Sequence, residues 1–303
     1  MHINSNALQA VILLSVIWIM PPAQAALNVF ACEPEYAALA QELAPDANVY
    51  SATTALQDPH QIQARPSLIA QMRRADLVIC AGAELEVGWL PMLQQKAANP
   101  AVQPGQPGLF YAAEQVETLD KPTRIDAAMG DVHAGGNPHV HLDPHRLLQI
   151  AQALTVRLKQ LEPAKTAFYQ QQFDHFAQRW QQSITRWQQL AKPLHGKQVI
   201  GYHSSFRYLY HWLGINQVAD LEPKPGLPPS SSHLATLLSR AKQGDIDAII
   251  TASYQDQIGA NWLADKTNLP QAVLPISIGG DKQSQNLFAL YDSLITRLIK
   301  VLQ

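Results

Sequence analysis

The sequence predicts an α/β protein of two lobes, each with a parallel sheet flanked by helices, joined by a long backbone helix. From residue 27 onward, short apolar runs alternate with longer helical patterns, which is typical of βαβ units. Over residues 144–190 this alternation gives way to helical spacing alone, and it restarts after Pro193. A length of 303 residues also suggests about two domains, at roughly 150 residues each.

The composition excludes several classes of protein. Charged residues make up 15% of the chain, below the ~25% usual for globular proteins, so neither a charge-rich disordered chain nor a coiled coil is indicated. The 22 Lys and Arg nearly balance the 24 Asp and Glu, for a net charge of −2. That balance gives no basic surface for a nucleic acid or an anionic membrane.

The amino terminus predicts a signal peptide over residues 1–25. An apolar run at residues 7–20 is followed by Ala23-Gln24-Ala25, a small-x-small cleavage pattern, although the leading MHINSN has no Lys or Arg. The run is about 14 residues long, shorter than the ~20 needed to span a bilayer, so a membrane anchor is the less favoured alternative. No Cys directly follows the cleavage site, so a lipid-anchored amino terminus is not indicated. We expect a soluble exported protein cleaved after Ala25.

The N-terminal lobe is predicted to cover residues 26–150. Its apolar runs predict strands at residues 27–32, 48–55 and 76–82. Helical patterns follow them at residues 34–44, 66–75 and 89–99. The Pro- and Gly-rich stretch 100–136 predicts a loop with one short strand at 109–113.

The linking segment is predicted at residues 151–194, within a helical stretch that begins at Asp143-Pro144, a favourable N-cap and first-turn pair. It is interrupted only at Glu162-Pro163. A helix from Pro163 to Leu190 would span about 42 Å at 1.5 Å per residue, longer than one small domain needs.

The C-terminal lobe is predicted at residues 195–303, where the alternation repeats. Its apolar runs and helical patterns lie at residues 197–203, 206–214, 216–223, 233–243, 248–253, 261–268, 272–277 and 286–302.

The two cysteines, Cys32 and Cys80, each end an apolar run. In an oxidising compartment they could form a disulfide between the carboxyl ends of neighbouring parallel strands. Two buried small hydrophobic residues are the alternative, and the sequence leaves both open. With no Cys-x-x-Cys pair, a thiolate metal site is not indicated.

The positions of four residues predict a metal site. His60 follows the second strand, His139 precedes the linking region, His203 follows the first strand of the C-terminal lobe, and Asp281 follows its last strand. In open α/β sheets, ligands bind at the loops after the carboxyl ends of strands. Three neutral imidazoles and one carboxylate make a suitable ligand set for Zn²⁺. For each residue, an ordinary structural role is the alternative, most seriously for Asp281.

The chain has 11 His in all, and the others carry weaker expectations. His141 could support the site or act as an alternate ligand, and His133 could help to capture metal from solution. His145 is expected to be structural. Surface or helix positions are expected for His175, His195, His211 and His233.

Five segments together resemble the periplasmic zinc-binding proteins of ABC importers, the metal-specific solute-binding family. The resemblance covers residue 27 to the end of the chain, and the segments are QDPH at 57–60, ADL at 75–77 with GAELE at 82–86, GNPH at 136–139 with LDP at 142–144, YHSSF at 202–206, and EPKPG at 222–226. It implies two α/β lobes that hold a metal between them and a periplasmic location. His60, His139 and His203 match the histidine ligands of the family, and Asp281 is the best match to its carboxylate.

The resemblance also implies a function: capture of Zn²⁺ as transported ligand, delivery to an ABC permease, and no enzymatic chemistry. Manganese members of the family have Glu where this chain has His203, and a third imidazole suits Zn²⁺ better than the harder Mn²⁺. The long His- and acid-rich loop of many zinc members is reduced here to Asp131, His133 and their neighbours. A periplasmic metallochaperone could therefore supply the ion. We expect a monomer.

The alternatives are a manganese-binding homologue and two proteins of other classes. A secreted zinc hydrolase would also use three imidazoles with an open position, but it needs a general base, and the chain has no H-E-x-x-H. Asp281 is the candidate for that base. A surface adhesin is the third class, and no exposed apolar or aromatic stripe argues for it.

Overall fold

The structure is a computed structural model, and it describes residues 25–124 and 133–303. The predicted signal peptide, apart from Ala25, lies outside these residues. So does Asp131 in the shortened loop. Within the described residues, every helix is too short or too polar to cross a bilayer.

The N-terminal lobe is built on a four-stranded parallel sheet. Its strands are β1 (Asn28–Ala31), β2 (Asn48–Ser51), β3 (Leu77–Cys80) and β4 (Leu109–Tyr111), in the order β2-β1-β3-β4. The helices between them are α1 (Pro34–Leu43), α2 (Pro66–Arg74) and α3 (Leu90–Ala97). Strand β3 is buried along its whole length, as expected for a parallel strand covered by helices on both faces.

Two long helices lead to the C-terminal lobe: α4 (Pro144–Leu161) and α5 (Thr166–Leu190). The side chain of Asp143 accepts hydrogen bonds from the first backbone N–H groups of α4, as its N-cap position predicts. A 3₁₀ turn over Pro163–Lys165 separates the helices, at the interruption that the sequence predicts.

The C-terminal lobe repeats the topology of the first lobe. Its strands are β5 (Gln198–Gly201), β6 (Asn216–Asp220), β7 (Ala248–Ala252) and β8 (Gln271–Leu274), in the order β6-β5-β7-β8 and again all parallel. Its helices are α6 (Arg207–Leu213), α7 (Ser231–Ala241), α8 (Ile258–Thr267) and α9 (Leu287–Leu302). The predicted fold class is confirmed: two α/β lobes with parallel sheets, joined by long helices.

One buried apolar cluster runs through both lobes. Helix α9 returns to pack on α5, where the ring of Tyr291 stacks on Trp187 at 4.8 Å and meets Trp180 edge-on at 5.2 Å. The hydroxyl of Tyr291 also donates a hydrogen bond to the carbonyl of His141, on the N-terminal side. We call this contact, formed by Trp180, Trp187 and Tyr291, the aromatic seam.

The structure decides between the two alternatives for the cysteines and corrects the end of one predicted strand. The structure pairs Cys32 with Cys80 in a disulfide that links the carboxyl ends of β1 and β3, which are neighbouring strands. The strand predicted at 48–55 ends at Ser51, because Thr53 Oγ1 turns back to donate to the carbonyl of Cys32. This early end leaves residues 52–65 as the loop that carries His60.

Candidate metal centre

Two of the predicted ligands, His60 and His139, lie in the same kind of turn. In each turn a polar side chain stands two residues before the histidine, and a proline lies between them. Asp58 Oδ1 accepts from the backbone N–H of His60 at 3.0 Å, and Asn137 Oδ1 accepts from that of His139 at 3.0 Å. Asp and Asn readily close such turns, and the intervening proline fixes its own backbone φ. Each imidazole is therefore presented from a stiff turn, as the Pro-His pairs predict.

The ring of His60 has a defined free nitrogen. Its Nδ1 lies 2.7 Å from Asp58 Oδ1, so Nδ1 carries the proton and Nε2 keeps its lone pair. Burial acts to raise the pKa of Asp58, but the hydrogen bond and charge of His60 outweigh it, and the pKa lies below its ordinary value. Trp89 Nε1 donates to the carbonyl of Pro59 at 2.9 Å and anchors the loop from behind.

His203 is oriented in the same way from the other lobe. It follows β5, and its Nδ1 lies 3.0 Å from Glu222 Oε2, which leaves Nε2 as the lone-pair nitrogen. The same carboxylate oxygen accepts from the backbone N–H of Gly226 at 3.2 Å. The side chains of His203 and Glu222 are only 14% and 12% exposed, so the pair is shielded from bulk water.

His139 is the most buried of the three imidazoles, at 3% exposure. Its Nε2 is buried and has no hydrogen-bond partner among the described residues. Burial first, and then the nearby imidazoles of His141, His60, His203 and His133, hold its pKa well below the ordinary value. His139 is therefore neutral at pH 7, with an unsatisfied ring nitrogen, the form in which an imidazole binds a metal.

A cleft between the lobes brings part of this set together. It has a volume of about 280 Å³ and is lined by Asp58 and His60 from one lobe and by His203 and Glu222 from the other. His133 joins from the N-terminal side, with its Nε2 at 3.2 Å from His60 Nε2. We call His60, His133, His139 and His203 the imidazole cluster.

The ring nitrogens of the imidazole cluster do not all lie close enough together to bind one ion. Among the described residues, one group of three His, Cys, Asp or Glu has ligand atoms mutually within 4.8 Å: Cys32, Cys80 and Glu86. The two sulfurs of that group are bonded to each other, so they offer no thiolates to a metal. To share one ion, the rings from the two lobes must approach each other more closely.

Asp281 makes hydrogen bonds and an ion pair within the C-terminal lobe. Its Oδ1 accepts from the backbone N–H groups of Gln283 and Ser284, and its Oδ2 lies 2.6 Å from Ser293 Oγ and 3.0 Å from Arg297 Nε. Burial acts to raise its pKa, but these hydrogen bonds outweigh it and lower the pKa. None of the hydrogen bonds or ion pairs of the described residues connects Asp281 to a histidine.

The remaining histidines near the cleft have structural contacts. His141 is 2% exposed, and its ring joins the lobes: Nε2 lies 2.9 Å from the carbonyl of Ile276 and Nδ1 lies 3.1 Å from Glu35 Oε1. His145, in the first turn of α4, lies with its Nε2 at 3.4 Å from Gln188 Nε2. His141 is therefore hydrogen-bonded through Nε2, whereas its buried Nδ1 lies near Glu35 without a hydrogen bond among the described residues.

Sequence reasoning missed the two carboxylates that orient the rings. Asp58 and Glu222 both stand in segments that carry the resemblance, but no role follows from their types alone. Asp58 had a usable signal, since an Asp two residues before a His can accept from both the backbone N–H and the ring. Glu222 lies 19 residues after His203 in a different loop, so only the folded chain brings it to the ring.

A cleft that presents imidazoles between two parallel-sheet lobes is typical of a metal-binding solute-binding protein, the class to which this fold and arrangement point. The chain belongs to the family of the periplasmic component A of the zinc-uptake complex, whose model matches residues 29–303. It is therefore a periplasmic metal-binding protein of an ABC importer, and the family confirms the expectation that the chain is not an enzyme.

Individual relatives are distant in sequence. The chain is 23% identical over 257 residues to the high-affinity zinc uptake system protein ZnuA of Bacillus subtilis, covering 79% of this chain and 78% of that one. It is 21% identical over 223 residues to the manganese ABC transporter substrate-binding lipoprotein PsaA of Streptococcus pneumoniae, covering 71% and 67%. A crystal structure of ZnuA matches with a TM-score of 0.76 and 17% identity, covering 92% and 100%. Likeness at this level establishes the fold and leaves the choice of metal to the residues of the cleft.

Proposed function

We propose that this protein captures Zn²⁺ in the cleft between its lobes and delivers it to the permease of an ABC importer. His60, His139 and His203 are the proposed ligands, each through Nε2. The association with a permease follows from the family and from the names of the relatives. Supply by a metallochaperone and a monomeric state remain predictions.

The observation that carries the proposal is the unpartnered Nε2 of His139. A buried polar atom without a hydrogen bond costs about 1–3 kcal/mol, so such atoms are rare unless something else binds them. The pKa of His139 lies well below its ordinary value, so the ring is neutral and one of its two nitrogens carries a lone pair. A divalent ion in the cleft would bind this lone pair.

The ligand types favour zinc over manganese. Imidazole suits Zn²⁺, whereas Mn²⁺ is better bound by carboxylate, carbonyl and water oxygens. The carboxylates nearest the cluster, Asp58 and Glu222, are occupied with the Nδ1 atoms of His60 and His203. They add negative charge around the cleft and leave the nitrogens as the ligands.

The direct test is the metal content of the mature chain, purified without an affinity tag from cells that supply both metals. We expect one zinc per chain in the wild type. His139→Ala should lower zinc affinity by at least about 100-fold, beyond the loss seen when a ligand's hydrogen-bond partner is removed. Affinity is measured by competition with a chelating dye. His175→Ala, an exposed position on α5, is the matched control and should bind as the wild type does. Equal binding by both variants would refute the proposal.

The metal preference has a separate test. His203→Glu exchanges an imidazole for a carboxylate at the position where manganese members of the family carry Glu. We expect the ratio of zinc to manganese affinity to fall, because a harder ligand favours the harder ion. Competition titration of both metals measures the ratio, and an unchanged ratio would show that His203 is not a ligand.

A further inference from the structure

We infer that Asn137 is a positioning residue that sets the spacing between two of the proposed ligands, His139 and His203, by joining their turns across the lobe interface. This inference rests on the proposed function and deepens it, because it concerns how the cleft is held ready for an ion. It follows from the hydrogen bonds of Asn137, from its burial, and from a comparison with Asp58, its counterpart in the turn of His60.

The side chain of Asn137 bonds to both turns at once. Its Oδ1 accepts from the backbone N–H of His139 at 3.0 Å, on the N-terminal side of the interface. Its Nδ2 donates to the carbonyl of Ser204 at 2.8 Å, in the C-terminal lobe. Ser204 directly follows His203 in the chain. One amide group therefore connects a proposed ligand on one side with the neighbour of a proposed ligand on the other.

The backbone of Asn137 is held at the same interface. Its N–H donates to the carbonyl of Leu119 at 2.8 Å, and its carbonyl accepts from the hydroxyl of Tyr208, on α6, at 2.8 Å. That hydroxyl also accepts from the backbone N–H of Leu119 at 2.9 Å. Asn137 is 5% exposed and Tyr208 is fully buried, so water does not readily replace these bonds. The amide of Asn137 is therefore presented from a fixed backbone.

The residue types in the two equivalent turns match what each side chain must do. Asp58 and Asn137 both stand two residues before a histidine and accept from its backbone N–H. Asp58 also lies 2.7 Å from Nδ1 of the His60 ring, a contact that requires an acceptor. Asn137 also faces the carbonyl of Ser204, which requires a donor. A carboxylate has no N–H to donate, so the amide is the side chain that can both close the turn and join the lobes.

Joining the turns lowers the cost of bringing the imidazoles to one ion. With the amide in place, the segment of His203 is held beside that of His139 before the ion arrives, so less conformational freedom is lost on binding. Without it, the ion itself must order the two turns, and the affinity falls. Asn137 acts through position and makes no bond to the ion, because both polar groups of its side chain are already engaged.

The test is a double-mutant cycle on zinc affinity, measured by competition with a chelating dye. Asn137→Ser keeps a hydroxyl that can close the turn of His139 but is too short to reach Ser204. We expect it to lower zinc affinity by about tenfold. In a chain that also carries His203→Ala, the same substitution should change affinity by less than about twofold, because no ligand is then left for the amide to position. A loss of general structural origin would be equal in both backgrounds.

A second variant and a control complete the design. Asn137→Asp keeps the size of the side chain and the acceptor for the turn but cannot donate to Ser204. Its coupling to His203→Ala should equal that of Asn137→Ser, because any effect of its charge is present in both backgrounds. Arg207→Gln is the matched control, since it breaks another contact between the lobes, the ion pair with Asp120 at 3.0 Å, and should change affinity by less than about twofold. Melting temperatures without metal check that each variant folds, and the cycle with Asn137→Asp decides alone if Asn137→Ser does not.

Two results would overturn the inference. One is a loss of zinc affinity for Asn137→Ser no larger than that for Arg207→Gln. The other is an equal loss with and without His203→Ala, which would show that Asn137 supports the fold and does not position His203. Either result leaves the proposed function intact as long as His139→Ala and His203→Ala still lose zinc. Binding like that of the wild type by these two variants would instead remove the proposed function itself.

Discussion

Two clusters of buried ionisable groups lie side by side at the carboxyl end of the N-terminal sheet, and they differ in what faces each group. The imidazole cluster faces the cleft, and two of its rings have a carboxylate on Nδ1. Behind it lie Glu33, Glu35 and Glu86, each no more than 3% exposed, which we call the carboxylate cluster. His139 and His141 line a small cavity together with Glu33 and Glu35, so the two clusters border the same cavity.

In the carboxylate cluster, the buried carboxyl groups of Glu33 and Glu86 are stabilised by bound protons and by hydrogen bonds from backbone N–H groups. Glu86 Oε1 accepts from the backbone N–H of Ala81 at 2.7 Å, and Glu33 Oε2 accepts from the same group at 3.2 Å. Burial first, and then the charges of Glu86 and Glu35, raise the pKa of Glu33 well above its ordinary value. Burial also raises the pKa of Glu86 to about 7. Glu33 and Glu86 therefore keep their protons to a higher pH than ordinary carboxyl groups do.

The difference shows what a buried ionisable group needs in order to serve as a ligand. In the imidazole cluster, a carboxylate lies against Nδ1 of His60 and of His203, so Nε2 is the nitrogen left for other contacts. In the carboxylate cluster, like groups face one another, and protons take the place that a cation would occupy. Burial and proximity alone therefore do not define a metal site.

The largest effect that tests this comparison comes from removing the orienting carboxylates. Asp58→Asn and Glu222→Gln should each lower zinc affinity by about 10- to 100-fold, because the imidazole loses its fixed tautomer and orientation. Competition with a chelating dye measures the change. Asp256→Asn is the matched control, since Asp256 also lines the cleft but its carboxylate accepts from the backbone N–H of Ile258. A loss no larger than the control's would show that the carboxylates do not act through the rings.

A smaller effect concerns the carboxylate cluster and the pH dependence of stability. Glu86 has a folded-state pKa of about 7, above the ordinary 4.5, so the unfolded chain releases this proton first as pH rises. As the pH rises from about 4.5 to 7, the ionisation of Glu86 therefore lowers the free energy of unfolding by about 1–3 kcal/mol. Glu86→Gln removes this ionisation. The free energy of unfolding of the variant, relative to that of the wild type, should therefore increase as the pH rises through that interval.

Denaturant unfolding at several pH values, without metal, checks this expectation. Glu114→Gln, at an exposed position, is the control and should follow the wild type at every pH. A difference between Glu86→Gln and the wild type that stays constant from pH 4.5 to 7.5 would mean that Glu86 ionises normally in the folded protein.

The smallest effect on binding is expected at Asp281. Asp281→Asn should change zinc affinity by less than about threefold while lowering stability by about 0.5–1.5 kcal/mol, the usual contribution of a hydrogen bond. Arg297→Gln breaks the same ion pair from the other side and should lower the melting temperature similarly. A loss of zinc affinity near 100-fold for Asp281→Asn alone would instead identify Asp281 as a ligand.

The fold was largely predictable because the alternation of apolar runs and helical patterns is a local property. The interruption at Glu162-Pro163 and the N-cap at Asp143 were equally local, and the structure has both. The candidate site was predictable where the turn carries its own signal, as in Asp58-Pro59-His60 and Asn137-Pro138-His139. There the side chain that fixes the histidine stands two residues away.

The other contacts of the candidate site could not be predicted, because they join residues that are distant in sequence. Nothing near Asp281 indicates that Arg297, 16 residues later and a turn from the end of α9, lies against it in the fold. The Nε2 atoms of His60 and His133 are 73 residues apart along the chain, and their contact depends on how residues 133–136 pack on the lobe. The carboxylate cluster was equally hidden, since Glu33 and Glu86 look like ordinary surface acids when the sequence is read alone.

The aromatic seam has a consequence for how cargo leaves. A motion that separated helix α9 from helix α5 would expose Trp180, Trp187 and Tyr291 to water, and exposing each large ring costs about 4–6 kcal/mol at 25 cal/mol per Å². Opening that breaks this contact is therefore a poor exit route. Small displacements of the turns that carry the histidines would release the ion without exposing these rings. A docking partner would then need to move only a few residues at the edge of the cleft.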